Sequence, residues 1–476
     1  MDSTSFQSRD RLVGALVLTF SIGLALISAL PYAGSWNDGS RLATVEAIVD
    51  HHTLTIDRSI FVNVPQAPLP YRAEDRDLTQ HGTLDKLYIN GHFYSDKSPV
   101  PAILMAAVYQ TLQWVTGLRA GLRPDRFCYL MTVASSGLAY VIGVWCIYRL
   151  GRLLGLPLIW QTMLTTSFAI ATVAPVYARH TNNHILLLGV AAALMLNLAH
   201  LGIESGHGQV PLKRLVFLGS LAGFGYTIDL GAGPPLLVCL AGLVLYRCRK
   251  LSSVIAVILA ALAWLVLHHS VNYAVGGTMK PANAVAEYFD WPGCPFNAQN
   301  MTGNVNLSIG HFVVYGAGLL VGKRGFLLHN LPLFVLVPGV WLLRRRRLAE
   351  SPELAFALFW SGGTWLAYAL TSTNYSGLCC SIRWFVPLLA PGYYGLAIAL
   401  RECPRLRGTF LCLTGWGSCM AALMWWQGPW MARMVPLYWP LIAAAILTCV
   451  LLARRRPNAT ASKLVSEQLP ASAHAA

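Results

Sequence analysis

Long apolar runs alternate along the chain with short polar or basic turns, and this alternation predicts the structural elements. Runs of this kind are typical of helices that cross a bilayer. In chain order the predicted spans are Leu12–Leu30, Cys128–Tyr148, Leu158–Val176, Ile185–Ile203, Leu215–Leu230, Pro235–Tyr246, Ser253–His268, Leu327–Leu343, Leu354–Leu370, Trp384–Leu400, Thr409–Trp426 and Pro436–Leu452. The predicted fold is an all-α polytopic membrane protein with about 12 transmembrane helices in one domain, residues 1–456.

Basic residues at the ends of these runs orient the predicted helices. The clusters are Arg9 and Arg11, Arg149 and Arg152, Lys213 and Arg214, Arg247 to Lys250, Arg344–Arg347, Arg401 to Arg407, and Arg454–Arg456. Basic turns favour the cytoplasmic side. All the clusters fall there only if a further apolar segment, Pro101–Gly117, lies along the outer interface. We therefore predict a juxtamembrane helix at that segment and both termini in the cytoplasm.

This topology places the long loops on the outer face. The first loop covers residues 31–126 and the second covers residues 272–324. The cytoplasmic loops are too short to hold a site, so chemistry is expected outside the cytoplasm. The small and polar tail, residues 457–476, is predicted to be a disordered cytoplasmic segment.

Composition narrows the class further. Hydrophobic residues make up 55% of the chain and charged residues 12%, against about 25% charged in soluble domains. Soluble enzymes, disordered chains and disulfide-rich secreted modules are thereby excluded. The net charge of +15 is explained by the basic cytoplasmic turns, so no nucleic-acid partner is predicted. Cys294, Cys379 and Cys380 lie in the predicted outer loops. They are either free thiols or, if that side of the membrane is oxidising, Cys294 forms a disulfide with one of the other two.

The first outer loop begins with a candidate acid, Asp38, in Trp36–Ala43. A carboxylate half desolvated at the membrane boundary can act as a general base on an acceptor hydroxyl or amine. The alternative is structural, because an acid at this position suits the first turn of the amphipathic run that follows. Both interpretations stay open from the residues alone.

The same loop closes with Lys97, at the start of the predicted interfacial helix. A lysine beside the free N–H groups of a helix N-terminus can bind a phosphate. The alternatives are a lysine that extends to the interface or a surface pair with Asp96.

Two further polar groups lie at outer ends of predicted spans. The segment Tyr177–His184 needs water or a polar cavity, and its amides suit hydrogen bonds to sugar or phosphate. The alternatives are a polar turn without a ligand and a metal site formed by His180 and His184. Arg383, beside Trp384, could bind a phosphate bidentately or anchor the span at the interface.

These motifs resemble the GT-C superfamily of polyprenyl-phosphate-dependent glycosyltransferases, especially aminoarabinose transferases of lipid A and protein O-mannosyltransferases. The stretch Asn37–Ala43 is similar to the family's first-loop acidic motif, and Tyr94–Pro99 to the motif whose lysine meets the lipid phosphate. Ser381–Pro387 is similar to a late arginine motif. The sequence departs from the family at Asn182–His184, where a second acid followed by proline is usual.

The resemblance implies an inverting glycosyltransferase that takes a sugar from a polyprenyl phosphate outside the cytoplasm. Asp38 is then the expected catalytic base. The expected substrate-binding residues are Lys97, Arg383, Arg41, Arg179, Asn182, Asn183 and His184. No metal or cofactor is expected. The expected partners are the lipid-linked donor, a lipid, protein or glycan acceptor, and membrane lipids, and the expected location is a bacterial inner membrane with the site facing the periplasm.

A multi-span transporter or flippase is the main alternative function. Transporters usually carry broken or charged helices near the membrane midplane and internal repeats. Here the polar residues gather at the outer ends of spans, which favours the enzyme. A non-enzymatic assembly factor is a third possibility.

Overall fold

A computed structural model describes residues 3–62, Thr79, and residues 82–208, 210–297, 308–346, 348–431 and 434–454. The predicted tail, residues 457–476, lies outside these ranges. The α-helices are α1 Ser3–Ser28, α2 Trp36–Asp50, α3 Pro99–Thr116, α4 Pro124–Thr132, α5 Leu138–Leu153, α6 Leu158–Ile170, α7 Ala174–Tyr177, α8 Asn183–Gly206, α9 Leu212–Ile228, α10 Gly233–Cys248, α11 Leu251–Gly276, α12 Ile309–Val321, α13 Leu336–Leu343, α14 Ser351–Thr371, α15 Leu389–Glu402, α16 Arg407–Gln427 and α17 Tyr438–Arg454. Strands β1 Lys86–Ile89 and β2 His92–Ser95 form one antiparallel hairpin.

The helices confirm an all-α polytopic protein. Five helical segments among the described residues are long and apolar enough to cross a membrane, and they are Ser8–Ser28, Pro124–Leu153, Asn183–Gly206, Leu251–Gly276 and Ser351–Thr371. Shorter apolar helices accompany them, including α6, α10, α12 and α17. The count of about 12 transmembrane helices stays a prediction.

The structure differs from several of the predicted boundaries, and two of these differences concern the span from Trp384 and the second outer loop. The predicted span Trp384–Leu400 begins as a 3₁₀ turn over Arg383–Leu388 and becomes α-helical only at Leu389. Pro387 within that turn cannot donate a backbone hydrogen bond, which disfavours a regular α-helix there. The predicted second outer loop, residues 272–324, is partly helical, since α11 continues to Gly276 and α12 covers Ile309–Val321.

No disulfide forms in the structure. All eleven cysteines lie in the described ranges, and none of them, including Cys294, Cys379 and Cys380, is disulfide-bonded. Cys379 is buried in a tight loop, where its thiol lies 2.9 Å from the carbonyl oxygen of Ser381. The alternative of a bridge to Cys294 is therefore wrong for this structure.

The first outer loop folds into a compact unit. Its hairpin turns at Asn90 and Gly91, which have positive φ of 52° and 87° as a two-residue hairpin turn of this kind requires. The predicted juxtamembrane helix exists as α3, and it packs against α2. The hydroxyl of Tyr109 on α3 donates to Asp50 at the end of α2 over 2.8 Å, which ties the two helices together.

The main core surrounds α8. Its apolar side chains pack between those of α5 and α9, with α15 alongside. Because α8 is buried along most of its length, the position of its first turn is set by neighbours on several sides. That first turn carries Asn183 and His184, so the core fixes where these two side chains lie at the end of the bundle.

Candidate active site

A cavity of about 920 Å³ lies between the first outer loop and the helix bundle. Its walls come from α2, the end of the hairpin, the first turn of α8, the loop after α9, the last turns of α11 and α14, and the segment that begins at Arg383. Elements far apart in the sequence therefore share one concave site of the size typical of ligand pockets.

Six charged side chains line this cavity. The cations are Arg41, Lys97 and Arg383, and the acids are Asp85, Asp96 and Asp229. Because positive and negative side chains are equal in number here, the partner of each charge is more informative than the net charge of the cavity. Lys97 and Asp229 are each engaged by neighbouring groups, whereas the two arginines are not paired with carboxylates.

Arg41 projects from α2 and is only 3% exposed. Its Nε lies 3.3 Å from the amide oxygen of Asn37, and its Nη1 has no hydrogen-bond partner. Burial lowers the pKa of Arg41 to about 10, against the opposing effect of Asp96. The buried guanidinium has no carboxylate within ion-pair distance among the described residues, so an incoming anion would relieve its desolvation.

Arg383 reaches the cavity from the opposite wall. Its guanidinium carbon lies 5.6 Å from the ring centre of Trp430, a cation–π contact. Its Nε is buried without a hydrogen-bond partner. As with Arg41, no carboxylate lies within 4.0 Å of it in the described part of the chain, which leaves its planar donors available to an oxyanion.

Lys97 is held between two acids. Its Nζ lies 2.7 Å from Asp85 and 2.6 Å from Asp96. The side chains are only 10–15% exposed, so the interpretation as an exposed surface pair is wrong. Burial raises the pKa of Asp96, and the neighbouring Lys97 opposes that shift. The ammonium is thus fixed beside the first turn of α3.

A histidine and an aspartate form a second arrangement in the same cavity. Nδ1 of His184 lies 3.2 Å from Oδ2 of Asp229. The other oxygen of Asp229 accepts hydrogen bonds from the hydroxyl of Tyr368 at 2.7 Å and from the backbone N–H of Gly231 at 2.9 Å. Tyr368 stacks on Trp384, with ring centres 4.2 Å apart and nearly parallel planes. Asp229 itself lines the cavity.

Several polar atoms that line the cavity have no protein partner. In the described part of the chain these are, besides the two arginine atoms, the side-chain oxygen of Asn183, Nδ1 of His184 (which is near Asp229 but not aligned for a hydrogen bond), Nε2 of His268 and the indole nitrogen of Trp430. Buried polar groups are almost always hydrogen-bonded in folded proteins. Their concentration here indicates that the cavity receives a polar ligand.

Asp38 occupies a different position from the expected one. It is 1% exposed, and the residues that line the cavity include its neighbours Asn37 and Arg41 but not Asp38 itself. Its carboxylate completes a capping box with Ser35 at the start of α2, accepts from the N–H of Gly34 at 2.8 Å, and lies 3.2 Å from Nδ1 of His180. These contacts agree with the structural interpretation of Asp38, an acid that caps the first turn of α2. The role of Asp38 as catalytic base stays a prediction.

Arg179 and Asn182 also lie behind the cavity wall. The guanidinium carbon of Arg179 is 5.1 Å from the ring centre of Trp425. Asn182 caps α8, since its side-chain oxygen accepts from the N–H of His184 at 2.8 Å. Of the predicted site residues, the structure brings Arg41, Lys97, Asn183, His184 and Arg383 together at the cavity.

Sequence reasoning missed four side chains of the site. Asp85 lies in a stretch without a motif, and His268, Tyr368 and Trp430 lie in or next to apolar runs where they resemble core or interface residues. His268, the last residue of the predicted span Ser253–His268, was the one available signal, because polar groups in apolar spans are usually functional. No group of three or more His, Cys, Asp or Glu side chains within the described ranges could hold a metal ion.

The fold matches that of solved membrane proteins. The apo structure of ArnT from Cupriavidus metallidurans is 12% identical, with 92% of this chain and 72% of that chain covered and a TM-score of 0.51. ArnT bound to undecaprenyl phosphate is 13% identical, with 95% and 76% covered and a TM-score of 0.47. The apo Archaeoglobus fulgidus oligosaccharyltransferase is 13% identical, with 97% and 58% covered and a TM-score of 0.47.

No protein-family model and no curated protein sequence matches the chain. The structural likeness shows the fold: this is a polytopic helical protein that folds like ArnT. The resemblance that the sequence motifs suggested is confirmed at the level of the fold.

Proposed function

We propose that this protein is an integral membrane glycosyltransferase that moves a sugar from a polyprenyl-phosphate donor to an acceptor, with inversion at the anomeric carbon. The observation that carries the proposal is a pair of guanidiniums, that of buried Arg41 and that of half-buried Arg383, which line one cavity and have no carboxylate within ion-pair distance among the described residues. Cations held in this way are suited to bind a phosphate.

The leaving group explains why cations are needed. When the bond between the anomeric carbon and the phosphate oxygen breaks, negative charge grows on the phosphate of the departing lipid. Arg41 and Arg383 supply fixed positive charge in a site where little water screens it. Lys97, beside the first turn of α3, adds a third cation that can exchange part of its contact with Asp85 and Asp96 for the phosphate.

The location of the site supports an extracytoplasmic reaction. The cavity is walled by the first outer loop, and the basic clusters that orient the chain lie at the opposite ends of the helices. We propose an inner membrane as the location, with the cavity facing the periplasm. A lipid, protein or glycan would then approach as acceptor from that side.

The proposal is tested by removing the charge of each guanidinium. Arg41→Met and Arg383→Met should each lower the amount of polyprenyl phosphate retained by the purified protein, measured by mass spectrometry, and should slow transfer of labelled sugar at least tenfold. Arg346→Met is the matched control, because Arg346 pairs with Glu402 on the surface, where such pairs contribute little.

Retention and transfer at control levels in both variants would contradict the phosphate role of the arginines. Wild-type protein that binds the lipid but never releases sugar to an acceptor in detergent would instead support the transport alternative.

A further inference from the structure

We propose that His184, oriented by Asp229, accepts the proton of the acceptor during sugar transfer. This inference rests on the proposed function, and it names a residue for the step that the motif resemblance assigns to Asp38. It stands on the geometry of three side chains that line the cavity, His184, Asp229 and Tyr368.

The carboxylate of Asp229 determines which ring nitrogen of His184 is free. Nδ1 lies 3.2 Å from Oδ2 of Asp229, within ion-pair distance although the two atoms are not aligned for a hydrogen bond. The nearby carboxylate stabilises the neutral tautomer that carries its proton on Nδ1 and keeps its lone pair on Nε2. His184 lines the cavity, and that lone pair is the acceptor that the ring offers there.

Asp229 is itself fixed and cannot follow the ring. Its Oδ1 accepts from Tyr368 at 2.7 Å, from the N–H of Gly231 at 2.9 Å and from the N–H of Ala232 at 3.0 Å. An anchored carboxylate holds the imidazole in one orientation and stabilises the positive charge that the ring acquires on protonation. Both properties are required of a base that acts through an oriented histidine.

The neighbouring residue supplies a place for the acceptor. The side-chain oxygen of Asn183 lines the same cavity and is buried without a protein hydrogen-bond partner. It can accept a hydrogen bond from a hydroxyl or amine on the acceptor. Adjacent residues on the first turn of α8 could thus bind the acceptor and receive its proton.

The proposed step is balanced. The acceptor oxygen forms a bond to the anomeric carbon while the bond from that carbon to the phosphate oxygen breaks, and its electron pair leaves with the polyprenyl phosphate. The acceptor proton moves to Nε2 of His184. Arg41 and Arg383 bear the charge of the phosphate, and Asp229 bears that of the imidazolium.

The test measures single-turnover transfer against pH at saturating donor. The charged groups that act on the ring are Asp229, Arg383 and Arg41, and Tyr368 contacts Asp229. All four residues are retained in His184→Asn. That variant keeps a donor near the position of Nδ1 and lacks Nε2. We expect its rate of transfer to fall by about a hundredfold or more, and the ionisation expected in the wild-type pH profile to be lost. The variant should still retain polyprenyl phosphate.

Two further variants complete the experiment. His207→Asn changes an exposed histidine at the opposite end of α8 and should transfer sugar at the wild-type rate. Asp229→Asn should slow the wild type strongly and add little to His184→Asn, because residues that act as one unit are not additive.

Transfer by His184→Asn within about tenfold of the wild-type rate, with the ionisation preserved, would overturn the inference and leave the proposed function standing. Loss of lipid retention in His184→Asn would also overturn it, since the ring would then bind the donor. A wild-type protein inactive with every polyprenyl-phosphate sugar would overturn the proposed function together with this inference.

Discussion

Two histidine–aspartate pairs lie near the same end of the helix bundle, and their geometries are nearly identical. In both, Nδ1 lies 3.2 Å from a carboxylate oxygen, and all four side chains are 5% exposed or less. The histidines, His180 and His184, are four positions apart in the sequence. The pairs differ in what surrounds them, and that difference decides what each can do.

The pair of Asp38 and His180 is enclosed by structural contacts. Asp38 caps α2 through Ser35 and Gly34, and the ring of His180 packs against Tyr32 and Trp430 at centroid distances of 5.9 Å. This pair fixes the start of the helix that carries Arg41. The pair of Asp229 and His184 lines the cavity instead. The same histidine–aspartate contact thus stabilises local structure in the pair of Asp38 and His180, and is a candidate for proton transfer in the pair of Asp229 and His184.

The sharpest test of this comparison removes each carboxylate charge in turn. Asp229→Asn should slow transfer by about a hundredfold or more, because His184 loses its orientation and its counter-charge. Asp38→Asn should stay within about tenfold of the wild-type rate, since its carboxylate does not line the cavity. Single-turnover transfer of labelled sugar measures both, with thermal unfolding as a check on folding. The reverse ranking would restore Asp38 as the base.

Glycines beside the two pairs offer a matched test of smaller effect. A Cβ on Gly231 would lie 2.4 Å from Cζ of Tyr368, and a Cβ on Gly34 would lie 2.5 Å from Cε1 of His180. Gly231→Ala should therefore displace Tyr368 from Asp229 and slow transfer by roughly tenfold. Gly34→Ala should mainly lower the free energy of unfolding, by about 1–3 kcal/mol, as overpacking does. Transfer rates and denaturation midpoints in detergent separate the two, and equal losses of activity would remove the distinction between the pairs.

The smallest expected effect is a pH dependence of the stability of the protein that arises from Glu46 on α2, the helix that also carries Asp38. Burial raises the pKa of Glu46 to about 7 from 4.5, although Ser59 donates to its carboxylate over 2.6 Å. A raised carboxyl pKa favours the folded state below pH 4.5, and that advantage is lost as the pH rises toward 7. Glu46→Gln, which cannot ionise, should thus gain stability relative to the wild type across this range, by at most about 3 kcal/mol.

Thermal midpoints of both proteins across that pH range provide the measurement. A constant difference between them would show that Glu46 does not titrate near neutrality. The same data separate pH effects on folding from the ionisation that we assign to His184.

The sequence predicted the class of fold because its signal is repeated along the chain. Apolar runs and basic turns recur many times, and each supports the others, so errors at single boundaries such as Trp384–Leu400 leave the predicted class of fold intact.

The site had weaker signals in the sequence. Lys97 and Arg383 stood out because charge next to an apolar run is costly, and both line the cavity. Tyr368 and His268 were missed because residues of their types inside apolar helices are usually part of the packing.

Asp38 and His184 show most clearly where sequence reasoning ended. Both were chosen from short polar stretches, and for Asp38 the capping and catalytic interpretations could not be separated without the contacts of its carboxylate. Asp229 is 45 positions from His184 in the numbering, and no local pattern links them.

By itself, the sequence determined that this chain is a helical membrane protein with its charged side chains at helix ends, because the cost of burying charge in lipid is a property of each segment alone. Only the tertiary structure decided which of those side chains share a cavity and which of the two histidine–aspartate pairs lines it. Those outcomes depend on distances between helices that are remote in the chain, and packing of the whole bundle sets such distances.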